Sequence, residues 1–311
     1  MRLVFCGTPQ FAVPTLEALI AAGHELLLVV TQPDRPQGRG LELATSPVKQ
    51  TAQRHDLAID QPEKIKNNPD FRGRVESAHP DAIIVVGYGR IVPPWMLSLP
   101  RLGNINLHGS LLPKYRGAAP IQWAIAEGET VSGVTTMLLN EGLDTGDVLL
   151  QRELPIGSDE NAISYSRRLA AIGADLMVET VNGLAAGNVR PQPQDHERAS
   201  LAPILKREDG LANFSFSAQK IYNRLRGFQP WPGCYTLFRG KKLAIHAARP
   251  ESSKTGKEPG EIAAQDDRLL VACGQESSLE LLSVQPEGKR TMSAADFLRG
   301  YRPSAGEKLG A

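Results

Sequence analysis

Three polar side chains, Asn106, His108 and Asp144, have the types and spacing needed to stabilise negative charge and to move a proton. Asn106 and His108 lie two residues apart in Ile105–His108, which is predicted to be a strand, and residues i and i+2 of a strand point to the same face. Asp144 follows in the glycine-containing stretch Gly142–Asp147. Open α/β sheets bind their ligands at strand ends. The pattern therefore predicts a site where an amide, an imidazole and a carboxylate converge.

A longer stretch of sequence around these residues resembles a known family. Residues Asn104–Gly117, followed by Gly142–Asp147, are similar to the signature of the N10-formyltetrahydrofolate-dependent formyltransferases, which has a catalytic Asn, His and Asp in this order and spacing. The resemblance extends from Val4 to near Gly300. It implies an enzyme that uses 10-formyltetrahydrofolate as the formyl donor, with the same three side chains in the catalytic role. It also implies that folate contacts Ser110, Leu111, Leu112 and Pro113.

Formyl transfer to an amine needs a donor to the developing oxyanion and a route for the amine proton. The side-chain NH₂ of Asn106 can donate to the oxyanion. The imidazole of His108 can do the same, and it can exchange a proton near neutral pH. Asp144 can orient the imidazole, pair with its charge, or bind a water that relays the proton. Ser110 lacks the Gly-x-Ser-x-Gly context of an acyl-enzyme nucleophile, so we predict direct transfer between bound substrates.

Two basic features indicate tRNA as the acceptor. The loop that starts at Gln32–Pro36 is similar to a loop that inserts against the acceptor stem in the tRNA-dependent members of the family, where Arg39 matches a tRNA-binding residue. Leu41 and Glu42 stand where the family usually has two lysines, which lowers the positive charge of this loop. Basic residues also outnumber acidic ones in residues 207–311, as expected for a phosphate-rich partner. The implied acceptor is the α-amino group of methionine on initiator methionyl-tRNA. The candidate phosphate contacts are Arg39, Lys206, Arg207, Lys241 and Lys242.

A chain of 311 residues is long enough for two domains, and the order of its apolar runs predicts an α/β fold. Strand-like runs alternate with helical stretches in the first half, which is typical of a parallel sheet with crossover helices. We predict a Rossmann-like parallel-sheet formyltransferase domain in residues 1–187, including a long helix from Ser158 to Gly187. A proline-rich linker at 188–206 and a small OB-like β-barrel domain that binds tRNA at 207–311 are predicted to follow. The predicted strands of the first domain are Leu3–Cys6, Leu26–Thr31, Ala82–Val86, Ile105–His108, Val134–Leu139 and Val148–Gln151.

The sequence does not support several other classes of protein. The turn after the first predicted strand, Gly7–Phe11, is not Gly-x-Gly-x-x-Gly, and no Walker motif occurs, so NAD and P-loop chemistry are not predicted. The three cysteines are scattered and the histidines lack metal-ligand spacing, so we expect neither a disulfide framework nor a metal. No apolar run reaches the roughly 18 residues of a membrane span, and the N-terminus lacks signal-peptide features. We expect a cytoplasmic monomer with no membrane partner.

Three alternatives to tRNA formylation remain open from the sequence. Formyltransferases that act on a nucleotide-linked amino sugar share the Asn, His and Asp residues and a similar C-terminal domain. Hydrolysis of formyltetrahydrofolate would use the same site with water in place of the amine. An RNA-binding module on a degenerate enzyme fold is the third alternative, and turnover of the donor would exclude it. The loop at Gln32–Pro36 and the C-terminal motifs around Trp231 and Gly288 favour the tRNA-dependent enzyme.

Overall fold

The computed structural model describes residues 1–37, 42–251, 256–265 and 267–310. Arg39 and Leu41, which belong to the predicted tRNA loop, lie outside the described residues, as does the side chain of Glu42. Contacts between residues divide the chain into two compact units. The first unit comprises Met1–Pro120, Val131–Pro155 and Ser166–Ala202, and the second comprises Ile121–Thr130, Ile156–Tyr165 and Pro203–Ala311.

The described part of the first unit contains nine strands. In chain order they are β1 (Arg2–Gly7), β2 (Glu25–Val30), β3 (Arg35–Gln37), β4 (Glu42–Ala44), β5 (Ile59–Asp60), β6 (Ala82–Val86), β7 (Asn104–His108), β8 (Val131–Leu138) and β9 (Val148–Pro155). Seven of them form one sheet in the order β5-β2-β1-β6-β7-β8-β9, while β3 and β4 pair separately. Every residue of β6 is buried, as expected for a central strand covered on both faces.

The predicted parallel sheet is confirmed for five strands, whereas β8 runs antiparallel to both of its neighbours. The strands β5, β2, β1, β6 and β7 are parallel to their neighbours. Strand β8 is antiparallel to β7, and β9 is antiparallel to β8. The connection between β8 and β9 consists of residues 139–147. A parallel crossover needs about a dozen or more residues, so this short loop joins antiparallel neighbours. The same loop carries Asp144.

Helices lie between the strands of the first sheet and after its last strand, and polar side chains cap the N-termini of several of them. They are α1 (Val13–Ala21), α2 (Pro47–Arg54), α3 (Pro69–Ala78), α4 (Pro94–Leu97), α5 (Pro120–Glu127) and α6 (Ala162–Ala185). The side chains of Ser46 and Asn68 accept hydrogen bonds from first-turn amides of α2 and α3. The long helix predicted from Ser158 begins later, at Ala162. The side chain of Asn161 accepts from two backbone amides there and so marks the true N-terminus.

The second unit contains an antiparallel sheet and two helices from its C-terminal part. They are α7 (Ala218–Gly227), β10 (Cys234–Phe238), β11 (Lys241–Glu251), β12 (Ile262–Gln265), β13 (Arg268–Cys273), β14 (Ser277–Pro286), β15 (Met292–Ser293) and α8 (Ala294–Tyr301). The strands pair in the order β10-β11-β14-β13-β12, and β15 pairs with β14. The backbone amide of Leu309 donates to Gly260 beside β12, and that of Gly310 donates to Leu237 in β10. The chain end thus bridges both edges of the sheet, in keeping with the small β-domain that the sequence predicts.

The segment predicted to be a linker makes specific contacts in the first unit. Gln192 and Val148 exchange two backbone hydrogen bonds, of 2.8 and 2.9 Å. Residues up to Ala202 belong to the first unit, and the second unit resumes at Pro203. The domain boundaries at residues 187 and 206 stay predictions. Residues 188–202 belong to the first unit by their contacts.

Within the described ranges, no helix is both long enough and apolar enough to cross a membrane. The thiols of Cys6, Cys234 and Cys273 are buried and free. Burial raises the pKa of all three thiols, to about 12 for Cys234 and Cys273. They therefore serve as small core side chains.

Candidate active site

Strand β7 places Asn106 and His108 on one face of the sheet, as the period of a strand requires. His108 is buried, whereas Asn106 is half-buried. Among the described residues, no side chain or backbone group forms a hydrogen bond with the side-chain amide of Asn106. Its NH₂ group is therefore available to a bound molecule.

The two ring nitrogens of His108 have different surroundings. Nε2 lies 2.9 Å from the carbonyl oxygen of Tyr115. A carbonyl only accepts, so Nε2 carries a hydrogen and donates it. Nδ1 lies 3.7 Å from Oδ2 of Asp144, and the side chains of His108 and Asp144 are 6% and 15% exposed. Nδ1 is thus the nitrogen that remains to take or give a proton, beside a carboxylate.

The backbone around Gly117 holds Asp144 in place. The amide of Gly117 donates to Oδ2 of Asp144 at 2.8 Å. Gly117 has φ +121°, and a Cβ atom there would lie 2.6 Å from the carbonyl oxygen of Ala202. Asp144 and Tyr115 also have positive φ, of 50° and 60°. Both residues that face the ring of His108 therefore depend on left-handed backbone, which is uncommon outside glycine.

Local contacts explain why glycine and small polar residues occur in and beside the loop Gly142–Asp147. A Cβ atom on Gly146 would lie 1.8 Å from the carbonyl oxygen of Leu138, so only glycine fits. The side chain of Asn140 accepts from the amide of Gly142 at 3.0 Å and from the hydroxyl of Thr145 at 2.9 Å. These contacts fold the loop back on itself and bring Asp144 to His108.

A buried glutamine, Gln194, completes this arrangement and was not identified from the sequence. Its Nε2 donates to the carbonyl oxygens of Asp144 at 2.9 Å and Gly146 at 2.6 Å. Its Oε1 accepts from Nε and Nη2 of Arg116, at 3.1 and 2.7 Å. Arg116 lies within the motif that carries the family resemblance, but nothing in the polar, proline-rich context of Gln194 distinguishes it from a solvated linker residue.

The predicted folate segment follows His108 directly and forms a tight turn. The hydroxyl of Ser110 is buried and donates to the carbonyl oxygen of Lys114 at 2.6 Å. Leu112 is also buried, and its backbone amide and carbonyl bond to Thr135 and Gln151. Of the four predicted folate contacts, Leu111 and Pro113 are the ones with partly exposed side chains.

A second polar network lies where β1, β2, β5 and β6 end. Nε of Arg90 donates to Gln32 at 3.0 Å, and Gln61 donates to Asp34 at 2.8 Å. Lys49 forms an ion pair with Asp34, and the hydrogen bonds from Lys49 and Gln61 lower the pKa of that carboxyl. This network anchors the start of the loop that leads to Arg39.

The predicted basic contacts of the C-terminal part are mostly open to solvent. Lys206, Arg207 and Lys241 are exposed. Nζ of Lys242 lies 4.5 Å from the ring centroid of Tyr235, in a cation–π contact.

In the described ranges, no group of three or more His, Cys, Asp or Glu side chains could hold a metal ion.

Comparison with known families agrees with this fold. Residues 1–181 match the family model described as formyl transferase, and residues 204–302 match the one described as formyl transferase, C-terminal domain. A solved structure with the same fold is the N-formyltransferase from Helicobacter canadensis in complex with folinic acid and dTDP-3-aminofucose. It has a TM-score of 0.66 and 17% identity, over 92% of this chain and 99% of that one. These matches define a formyltransferase.

Sequence relatives narrow the assignment within that class. The methionyl-tRNA formyltransferase of Koribacter versatilis is 59% identical over 310 residues, which covers 100% of this chain and 99% of the relative. That of Acidobacterium capsulatum is 58% identical over 311 residues and covers 100% of both. The chain belongs to the methionyl-tRNA formyltransferase family, and it is an enzyme that transfers a formyl group.

Proposed function

We propose that the enzyme transfers the formyl group of 10-formyltetrahydrofolate to the methionine amine of initiator methionyl-tRNA, which produces formylmethionyl-tRNA for translation initiation. The acceptor is supported by the names of the full-length relatives. The donor is supported by the family and by neighbours of the same fold that were solved with tetrahydrofolic acid or folinic acid. The geometric observation that carries the proposal is the ring of His108, held between Tyr115 and Asp144 on the strand that also presents Asn106.

Asn106 stabilises the charge that forms in the first step. The amine nitrogen attacks the formyl carbon, so that a nitrogen–carbon bond forms and the carbonyl electrons move to oxygen. The free NH₂ of Asn106 donates to this oxyanion. Removing one such donor typically raises the barrier by about 2.7–4 kcal/mol.

His108 acts through Nδ1, because its Nε2 proton is committed to the carbonyl of Tyr115. When Nδ1 is protonated, the ring can donate to the oxyanion. The carboxylate of Asp144, at 3.7 Å, stabilises the positive ring. This contact is longer than a hydrogen bond, so Nδ1 remains available to a substrate atom.

Asp144 supports the movement of the proton. The attacking amine loses one proton, and the tetrahedral intermediate collapses when the bond from its carbon to N10 of the folate breaks. N10 takes a proton as it leaves, so one proton is removed and one is delivered. Asp144 and Nδ1 of His108 are the groups beside the reacting atoms that can relay it, either directly or through a water.

The contacts to the two substrates are further proposals. Leu111 and Pro113 offer apolar surface to the folate, while Ser110 and Leu112 support the turn from within. Arg39, Lys206 and Arg207 would contact tRNA phosphates, which makes affinity sensitive to salt. We also propose that the enzyme acts as a monomer in the bacterial cytoplasm, and light scattering with and without tRNA tests the monomeric state.

The substrate assignment is tested by giving the purified enzyme 10-formyltetrahydrofolate with each of two acceptors, initiator methionyl-tRNA and a UDP-4-amino-sugar. A third reaction, without any acceptor, is the control. The proposal predicts that formyl appears only on the tRNA. Formylation of the sugar, or consumption of donor without an acceptor, would contradict it and would favour amino-sugar transfer or hydrolysis respectively.

A further inference from the structure

We infer that Gln194 is a positioning residue for formyl transfer, which holds the loop of Asp144 against the loop of Tyr115 and so sets the distance from the carboxylate to His108. The inference rests on the proposed roles of His108 and Asp144. It assigns a function in the reaction to a side chain outside the catalytic motif, in the segment between the two matched family domains.

The amide of Gln194 connects the two loops with both of its ends. Its NH₂ reaches the carbonyl oxygens of Asp144 and Gly146, and its oxygen accepts two hydrogen bonds from Arg116. Gln194 is 7% exposed. All four hydrogen bonds come from one planar group, so a shift of either loop breaks contacts with the other.

Arg116 lies between the two residues whose backbone groups contact His108 and Asp144. The residue before it, Tyr115, accepts the Nε2 proton of His108. The residue after it, Gly117, donates its amide to Oδ2 of Asp144. A side chain that holds Arg116 and the backbone of Asp144 together therefore fixes the two ends of the interaction between His108 and Asp144.

The guanidinium of Arg116 depends on Gln194. Arg116 is 6% exposed, and among the described residues no carboxylate pairs with its guanidinium. Its other side-chain partner is Nδ1 of His196, at 3.1 Å from Nη2. A buried charge without a counterion is costly unless its hydrogen bonds are satisfied, and the Gln194 oxygen satisfies two of them.

The chemistry of these contacts specifies glutamine at position 194. Asparagine is one methylene shorter and cannot span the same groups. Glutamate keeps the acceptor for Arg116 but loses the donor to the two carbonyls, and it places a negative charge against them. Leucine fills similar volume but leaves both Arg116 and the two carbonyls without this partner.

The variants Gln194→Glu and Gln194→Leu test the inference, with Gln192→Ala as a matched control. Gln192 is exposed in the same segment and pairs through its backbone, which alanine retains. We expect kcat to fall by about ten- to a hundredfold in both Gln194 variants, since small misplacements of reacting groups cost up to about a hundredfold. The KM values for tRNA and folate should change little, because Gln194 is buried against protein groups.

Two further measurements separate positioning from a loss of folding. The ¹⁵N signals of the His108 ring should shift in Gln194→Glu while thermal unfolding remains cooperative. The effects of Gln194→Leu and Arg116→Met on kcat should be strongly non-additive, because both remove the same link. Wild-type kcat with unchanged His108 signals in Gln194→Glu would overturn the inference. So would additive effects of the two substitutions.

The variant Asp144→Asn shows whether a negative result concerns only the positioning role of Gln194 or the proposed function as a whole. If Asp144→Asn is inactive and Gln194→Glu is fully active, the positioning role is wrong and the catalytic assignment stands. If Asp144→Asn is fully active, the catalytic assignment itself is wrong, and the role given to Gln194 fails with it.

Discussion

The carbonyl oxygen of Tyr115 accepts the Nε2 proton of His108 at 2.9 Å, and this contact decides which ring nitrogen faces the chemistry. The backbone of Tyr115 reaches this position with φ 60°, in the left-handed region. Nδ1 is left beside Asp144. The structure therefore fixes the tautomer of the neutral ring, as well as its orientation.

This relationship predicts the protonation state of the ring. At a pH where His108 is neutral, the hydrogen should reside on Nε2 and Nδ1 should be bare. Two-dimensional ¹⁵N spectra of histidine-labelled enzyme distinguish the two tautomers. Assignment is confirmed by loss of the signals in His108→Gln. A neutral ring with its hydrogen on Nδ1 would be incompatible with the mechanism proposed for this site.

Substitution of Asn106 tests the oxyanion donor. Asn106→Ala should lower kcat by about a hundredfold or more with little change in either KM, because the donor acts on the charge of the transition state. Asn106→Ser, whose hydroxyl is a shorter donor, should recover part of the loss. A rise in KM for folate at unchanged kcat would show instead that Asn106 binds the ground state.

The loop after Gln32 is expected to contact tRNA. Arg39→Ala should raise KM for tRNA far more than KM for the formyl donor, and it should weaken the salt dependence of tRNA binding by about one phosphate contact. Lys66→Ala, which removes an exposed charge of the first unit, serves as the control. Equal effects on both KM values would mean that the loop shapes the catalytic cleft.

A charge cluster in the second unit predicts how its stability depends on pH. Hydrogen bonds from Arg268 and Arg249 lower the pKa of the buried Glu280 to about 2. Because the folded-state pKa lies below the unfolded value, this stabilisation is present above about pH 4.3 and is lost as pH falls towards 2.

Glu280→Gln should therefore lower the unfolding free energy at pH 7, because it removes the charge that pairs with the two arginines. The expected loss is on the order of 2 kcal/mol, less than the pKa shift alone implies, because the arginines are partly exposed and solvent weakens the pairing. The difference should shrink steadily below about pH 4. Urea titrations at several pH values check this, beside the exposed Glu287→Gln. A difference independent of pH would mean that packing, and not charge, accounts for the effect.

The parts of the fold and site that follow local rules were predictable from the sequence. Buried strands such as β6 are continuous apolar runs, and the spacing of Asn106 and His108 fixes their common face. The antiparallel pairing of β8 with β7 and β9 was not predicted, because apolar runs alone do not report strand direction. For β8 and β9, the short connection between the two strands carries that information.

The support of the site was not predictable, because it depends on contacts between residues far apart in the chain. Gln194 and Arg116 are 78 positions apart, and each looks like a surface residue by type. The same holds for the burial of Ser110, which the family resemblance implies as a folate contact and whose hydroxyl is buried in a turn. Charge and polarity in a sequence do not reveal burial when the partner is distant.

The most direct test of the account compares Asp144→Asn with Asp147→Asn in single-turnover formyl transfer to initiator methionyl-tRNA. Asp144 faces His108, whereas Asp147 bonds to Leu138 through its backbone carbonyl, which the substitution retains. We predict a loss of about a hundredfold or more in the transfer rate for Asp144→Asn, with both substrates still bound, and a small change for Asp147→Asn. A full transfer rate in Asp144→Asn, or a larger loss in Asp147→Asn, would contradict the assignment of Asp144 to proton transfer.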